Sequence, residues 1–241
     1  MPKSKKLIFA MRSQNSILLE TQFFPPISYV SALIKHRSSG TEFSQTQASS
    51  TTLILEKNEH FLKGSYRNRC HIATAQGVQI LSVPLKKGKN KQQLITDVQI
   101  SNDIHWQRPL WRTLQTAYGN APFWEHYAPI IEPFFVKQYN FLFDYNFAIL
   151  QTILKILKYH TSITLTFTET YNPVYTITPE RDGDEGNKVL DLRNHFTPKN
   201  ETGNPKRYAQ VFEDRNGFIP HLSILDLIFC SGNQSLDILT S

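Results

Sequence analysis

The sequence predicts a single α/β domain, with a mixed or parallel sheet flanked by helices and a helical middle segment. Three observations carry that prediction. Short aliphatic or β-branched runs interleave with longer segments whose apolar residues recur at helical spacing, as in one layered domain rather than separate all-α and all-β parts. The chain is 241 residues long, enough for one such domain to bury a substantial core. Its composition, 40% hydrophobic and 12% aromatic with 16 Phe and 10 Tyr, is that of an ordinary globular protein with a ring-rich core. There is no internal repeat and no clean internal boundary. Residues 1–16 are expected to be a poorly ordered lead-in and residues 17–239 the domain.

In order, Ile17-Leu18-Leu19-Glu20 reads as a short strand running into a turn fixed by Pro25-Pro26. Ile27 to Lys35 reads as a helix with Ile27, Val30, Leu33 and Ile34 on one face; Pro26 stands near its first position, where a missing N–H is harmless. Ser38 to Ser50 has no hydrophobic period and reads as a surface loop. Thr51 to Glu56 is a β-branched and aliphatic strand, His60-Phe61-Leu62 begins a second, and Val78 to Leu85 is a third, closed by Pro84. Lys86 to Gln92 is a basic loop, and the alternation of Asp97 and Gln99 with Val98 and Ile100 predicts a fourth strand over Leu94 to Ile100. Helices then dominate. Trp106 to Tyr118 stops at Gly119, an aromatic segment runs from Phe123 to Phe135, and Phe141 to Tyr159 is the most regular helix of the chain. Ile163 to Phe167 is a further strand, Glu180 to Lys206 a polar loop, and Leu222 to Cys230 a closing helix.

The net charge of +6 favours anionic partners such as phosphates, nucleotides or acidic lipid, a balance also common among soluble enzymes. There is no Gly/aromatic RNA-binding signature and no basic helix, so nucleic acid is not an expected partner. The start, Lys3-Ser4-Lys5-Lys6 and then Leu7 to Met11, imitates a signal peptide, but its apolar run falls short of the roughly 7–15 residues such a core needs. No run approaches the ~20 apolar residues of a membrane span. A cytoplasmic protein is expected, with Cys70 and Cys230 as buried thiols. His60, His105, His126 and His221 show no metal-ligand spacing, so zinc is not expected, and no cofactor is indicated.

The densest chemistry lies in Tyr66-Arg67-Asn68-Arg69-Cys70-His71. Residues two apart on an extended strand share a face, so Arg67, Arg69 and His71 would line up, with Lys63 further along the same row. Guanidinium groups suit bidentate bonding to phosphate or carboxylate, which makes this row a candidate anion site. The competing reading pairs these arginines with Glu56, Glu59 or Asp97 in structural bridges, or turns them to water. Lys86-Lys87-Gly88-Lys89 extends such a pocket as a flap or is a solvated turn. Gln22, after the first strand, stands where open α/β proteins place ligand contacts, or else satisfies loop backbone. Asp144 and Asn146 flank Tyr145 at a helix start, where first-turn electrostatics explain the acid. Cys70 and His71 are sequence neighbours and would point to opposite faces, a poor geometry for a nucleophile and its base. The stretch with Trp106, Trp111, Tyr118, Phe123, Trp124 and Tyr127 offers stacking to a sugar or base, with core packing the stronger expectation.

The chain resembles the WbqC-like proteins of bacterial polysaccharide and O-antigen gene clusters. The matching pieces are Gln22-Phe23-Phe24-Pro25-Pro26-Ile27-Ser28-Tyr29, then His60 through Ile72, Leu81-Ser82-Val83-Pro84-Leu85, and Trp106-Gln107 through Tyr118. Phe123 to Tyr127, Phe143-Asp144-Tyr145-Asn146, Tyr208 to Phe212, Gly217 to Pro220 and Leu222 to Asp226 complete them. Arg193-Asn194-His195-Phe196-Thr197-Pro198 matches the short branch common in Bacteroidetes-type bacteria. The resemblance implies an α/β protein associated with surface-glycan or small-molecule biosynthesis and supplies no mechanism. More distantly, the strand, Gln22, Pro26, Tyr29 and helix are similar to the opening of nucleotidylyltransferase-like folds, without their histidine signature.

Together these readings predict an enzyme acting on a phosphorylated or nucleotide-linked small molecule, its reaction type open and group transfer the favoured class. Lys63, Arg67 and Arg69 would hold the anion, Gln22 and Asn68 would orient the substrate, and His71 would be the general base. The alternative is a non-catalytic ligand-binding or scaffold protein of a biosynthetic assembly.

Overall fold

The computed structural model describes residues 16–38, 51–86, 93–173, 189–200 and 206–241. Most of the expected lead-in and of the two loops over Ser38 to Ser50 and Lys86 to Gln92 lies outside the described residues, as does the start of the polar loop over Glu180 to Lys206.

Four strands form one parallel sheet. β1 (Ser16–Glu20) lies between β2 (Thr51–Glu56) and β6 (Val189–Asp191), and β5 (Ile163–Phe167) lies outside β2, giving the order β5-β2-β1-β6. Every residue of β1 is buried, which explains why Ile17-Leu18-Leu19 reads as a continuous apolar run instead of an alternating one. The chain builds outward from β1 through α1 (Ile27–Ser38) to β2 and later to β5, then returns to the opposite side of β1 as β6. The order therefore reverses between β1 and β6, and the crevice at the carboxyl ends of those strands is where open parallel sheets place ligands.

The other elements wall this sheet. β3 (Arg69–Thr74) and β4 (Gly77–Ser82) make an antiparallel hairpin, followed by α2 (Gln107–Tyr118), α3 (Trp124–Ile131) and α4 (Leu142–Ile156). After β6 come α5 (Glu213–Asn216), α6 (Ile224–Ser231) and α7 (Ser235–Thr240). All of α6 is buried, packed against α1, α3, α7 and β3. The ring-rich core appears as expected. Phe24 stacks on Phe135, Phe23 on Tyr145, and Trp111 on both Trp124 and Phe135, so these aromatics are packing material. The fold is a mixed α/β single domain, and no described helix is long and apolar enough to cross a membrane.

Three local expectations are corrected. Leu94 to Ile100 is not a strand: Asp97 N–H donates to the Leu94 carbonyl at 2.9 Å and closes a 3-10 turn over Ile95–Asp97. The buried Val98 and Ile100 alternate with exposed Asp97 and Gln99, but isolated bridges to Leu85 and Phe141 hold the segment without a ladder. His60 likewise makes a single bridge, to Leu94. Within the expected loop over Glu180 to Lys206, Val189–Asp191 is β6, a short strand that completes the sheet.

Candidate functional site

Two strands that lie abreast in the sheet both end in glutamate. In the register of β1 on β2, Glu20 stands beside Glu56, and both are fully buried. Two adjacent carboxylates in a low-dielectric interior repel unless donors and cations surround them, and residues from four segments of the chain do so. Glu56 Oε1 accepts from the Asn58 N–H at 2.8 Å and the Thr168 hydroxyl at 2.6 Å, and its Oε2 accepts from Arg193 Nη1 at 2.8 Å. Glu20 Oε1 accepts from Gln22 Nε2 at 2.8 Å, and its Oε2 from the Asn194 N–H at 3.0 Å.

Arg193 fastens the carboxyl edge. It donates to Asp191 at the end of β6, to Glu56 at the end of β2, and through Nη2 to the Asn172 carbonyl at 2.7 Å in the segment after β5. Burial works against its charge, but the bonds to Asp191 and Glu56 more than offset this and hold the guanidinium above its usual range. The next residue, Asn194, is exposed with φ of 58°, a left-handed backbone that asparagine tolerates.

Arg67 is the largest fully buried side chain among the described residues, 1% exposed. Its Nε donates to Glu59 Oε1 at 2.7 Å, and its Nη2 donates to Glu59 Oε2 and, at 2.8 Å, to Asn194 Oδ1. Burial pushes the Glu59 carboxyl up to about 6 although Arg67 pulls it down. Burial also opposes the Arg67 charge, yet the Glu59 bonds and the negative charges of Glu20 and Glu59 keep its pKa above the ordinary value. The backbone of Arg67 is fixed as well: Asn146 Nδ2 in α4 donates to its carbonyl at 2.7 Å, and the preceding Tyr66 carbonyl accepts from Phe23 N–H at 2.9 Å.

Gln22 and Arg67 therefore meet in one network, through Glu20 and Asn194. The single row of Lys63, Arg67, Arg69 and His71 does not form, because β3 begins only at Arg69 and Gly64, at φ of 86°, turns the chain before it. Lys63 is exposed on that turn and makes no hydrogen bond or ion pair among the described residues. Asn68 exchanges bonds with Val83, its backbone carbonyl accepting at 2.8 Å and its Nδ2 donating at 3.0 Å, so it clamps the hairpin. Arg69 and His71 share the outer face of β3 as alternation requires, and the His71 ring stands edge-on to Tyr66, its Nδ1 3.3 Å from the hydroxyl. Cys70 points the other way into the core, where burial raises its thiol far above the usual range. Among the described residues no group of His, Cys, Asp and Glu is placed to hold a metal ion; Arg67 and Arg193 occupy oxygens of Glu59 and Glu56.

Among the buried polar atoms here that lack partners within the described residues are Arg67 Nη1, Gln22 Oε1 and Asn146 Oδ1. Glu20, Arg193 and Asn194 are not among the sequence candidates, and Glu56 and Glu59 enter there only as structural partners of the arginines. A signal for Glu20 and Glu56 was present, since Ile-Leu-Leu-Glu20 and Leu-Ile-Leu-Glu56 are apolar strands that each end in a carboxylate. Open grooves also lie between the β3–β4 turn and α2, lined by Thr74, Gln79 and Arg112, and beside α6, lined by Gln210, Arg215 and Cys230.

No curated protein matches the chain, and no solved structure does. One family model, described as the WbqC-like protein family, matches residues 41–180, more than half of the chain. Glu56, Glu59 and Arg67 fall inside the matched stretch, and Glu20, Gln22, Arg193 and Asn194 fall outside it. On that match over most of the domain, the chain belongs to the WbqC-like protein family.

Proposed function

We propose that this protein is an enzyme of surface-glycan or small-molecule biosynthesis, of transferase type. In this reading it binds a phosphorylated or nucleotide-linked substrate at the carboxyl edge of its parallel sheet. The observation that carries the reading is Arg67. A buried guanidinium with both hydrogens of Nη1 unused among the described residues is costly to maintain, and a phosphate oxygen is the acceptor its geometry suits best. The second acceptor on Nη2 is the neutral amide oxygen of Asn194, carried by an exposed residue at the rim. An anionic oxygen that displaces it exchanges a neutral acceptor for a charged one, which strengthens the bond.

The remaining candidates take supporting roles in this reading. Gln22 orients the substrate from within the network, Lys63 and Arg69 draw the anion in from the hairpin side, and Asn68 holds the hairpin in place. Glu59, with its carboxyl at about 6, is the member of the network placed to move a proton near neutral pH. His71 acts as general base only if substrate reaches the hairpin face. A melting-shift screen over sugar phosphates, nucleotides, nucleotide sugars and acyl-CoAs tests the reading. Several degrees of stabilisation by a phosphate-bearing compound are expected, and no shift with any of them would sink it. Asn194→Gly keeps the left-handed backbone and removes the competing oxygen, so it should tighten the binding of the same compound.

A further inference from the structure

Glu20 differs from the other carboxylates of the network. Glu59 is paired with Arg67, and Glu56 and Asp191 share Arg193, but Glu20 has only the neutral donors Gln22 Nε2 and Asn194 N–H among the described residues. Among the described residues four carboxylates thus face two guanidiniums, an excess of two negative charges, and the carboxylate with no guanidinium bond of its own, Glu20, is fully buried. Beside it is a second acceptor. The two hydrogens of Gln22 Nε2 go to Glu20 Oε1 and to the Phe196 carbonyl, both acceptors, so the amide can be oriented only one way and Oε1 is the atom left unpartnered. Because Oε1 shares the planar amide with Nε2, it lies within about 5 Å of Glu20 Oε1.

From this we infer that the ligand bound here carries a primary ammonium group, seated between Glu20 and Gln22 Oε1, in addition to the anionic group that Arg67 holds. The inference rests on the proposed phosphate-binding site and deepens it. A hydroxyl brings one donor and no charge; an ammonium brings three donors and the positive charge that Glu20 lacks. Arg67 Nη1, also unpartnered among the described residues, calls for an acceptor instead, and the charge of Glu20 acts on the Arg67 guanidinium across the same network. A donor-seeking end and an acceptor-seeking end together describe a phosphorylated amino compound, such as an amino sugar phosphate or a phosphorylated amino acid.

A two-by-two binding panel on the full chain tests this by calorimetry. Glucosamine 6-phosphate and O-phosphoserine are compared with glucose 6-phosphate and phosphoglycerate, and glucosamine and serine with glucose and glycerate. The amine member of each phosphorylated pair should bind about tenfold tighter or more, and Glu20→Gln should erase that preference. Equal binding within the pairs, a preference that survives Glu20→Gln, or no binding by any amine would overturn the inference. Binding by unphosphorylated amines alone would keep the ammonium seat and overturn the phosphate reading; binding by phosphates without regard to the amine would do the reverse. The wild-type comparison stands by itself should Glu20→Gln fail to fold cooperatively.

Discussion

Replacing Arg67 with methionine should destabilise the domain severely, and in a way that depends on pH. The methionine fills much of the same volume, so the cost comes from Glu59, left buried with neither of its bidentate bonds. Breaking one half of a buried ion pair costs about 3–5 kcal/mol, a large share of the 5–15 kcal/mol that holds a typical domain. The sign of the pH effect follows from the carboxyl. With Arg67 present, burial already raises Glu59 from 4.5 to about 6, so the folded state holds its proton more tightly than the unfolded chain. The stability linked to that proton is fully present below about 4.5 and is lost as pH rises through about 6, an effect of about 2 kcal/mol. Without Arg67 the two influences that lower the pKa are gone, and the window of loss extends upward. The deficit of Arg67→Met relative to wild type should therefore be about 3–5 kcal/mol at pH 8 and smaller by at least ~1 kcal/mol at pH 5. Adding Glu59→Leu should recover most of it, since a buried pair replaced by apolar groups is often neutral. Urea unfolding followed by circular dichroism at both pH values measures all three proteins. A deficit below about 1 kcal/mol at pH 8, an equal deficit at both pH values, or no recovery in the double variant would mean that the buried Glu59 charge is not the source of the loss.

Other consequences of the structure can be checked the same way. At Gly232, φ of 51° and a Phe123 ring 2.4 Å from where a Cβ would sit mean that Gly232→Ala should lose about 2 kcal/mol or more in the same unfolding assay. Asp226 accepts from the Tyr118 and Tyr208 hydroxyls, and burial raises its carboxyl from 3.8 to about 6. Its contribution is complete below about 3.8 and lost as pH rises through about 6, so Asp226→Asn should flatten the stability profile over that interval by about 3 kcal/mol. Burial raises both cysteine thiols well above the usual range, so an aromatic disulfide reagent at pH 8 should label neither Cys70 nor Cys230 until the protein is denatured.

The elements with a strong period were legible in the sequence, and the geometry of the turns was not. β1 and β2 carry aliphatic runs of strand length, β5 alternates apolar residues with threonine, and α4 keeps Leu142, Tyr145, Ile149 and Ile153 buried at helical spacing. β6 is three residues inside a polar stretch and carries no period of its own; only its neighbour β1 makes it a strand. Leu94 to Ile100 shows the opposite failure, a true alternation of burial whose backbone closes a turn. At the site, the type of residue was legible and its placement was not. Arg67 was singled out as a group made for a carboxylate or phosphate, and Glu59 was among its expected partners. Their bidentate pairing depends on a turn at Gly64 that has no periodic signature. Glu20 and Glu56 meet because two strands far apart in sequence lie in register, a fact of sheet order.

The proposed ligand site is the charged network at the carboxyl ends of β1, β2 and β6. Hydrogen–deuterium exchange, with and without the compound that gives the largest melting shift, tests this most directly. Protection is expected at residues 20–22, 66–68 and 192–196, the backbone around Glu20, Gln22, Arg67 and Asn194. Protection confined to the groove of Thr74, Gln79 and Arg112, with those three segments unchanged, would contradict it.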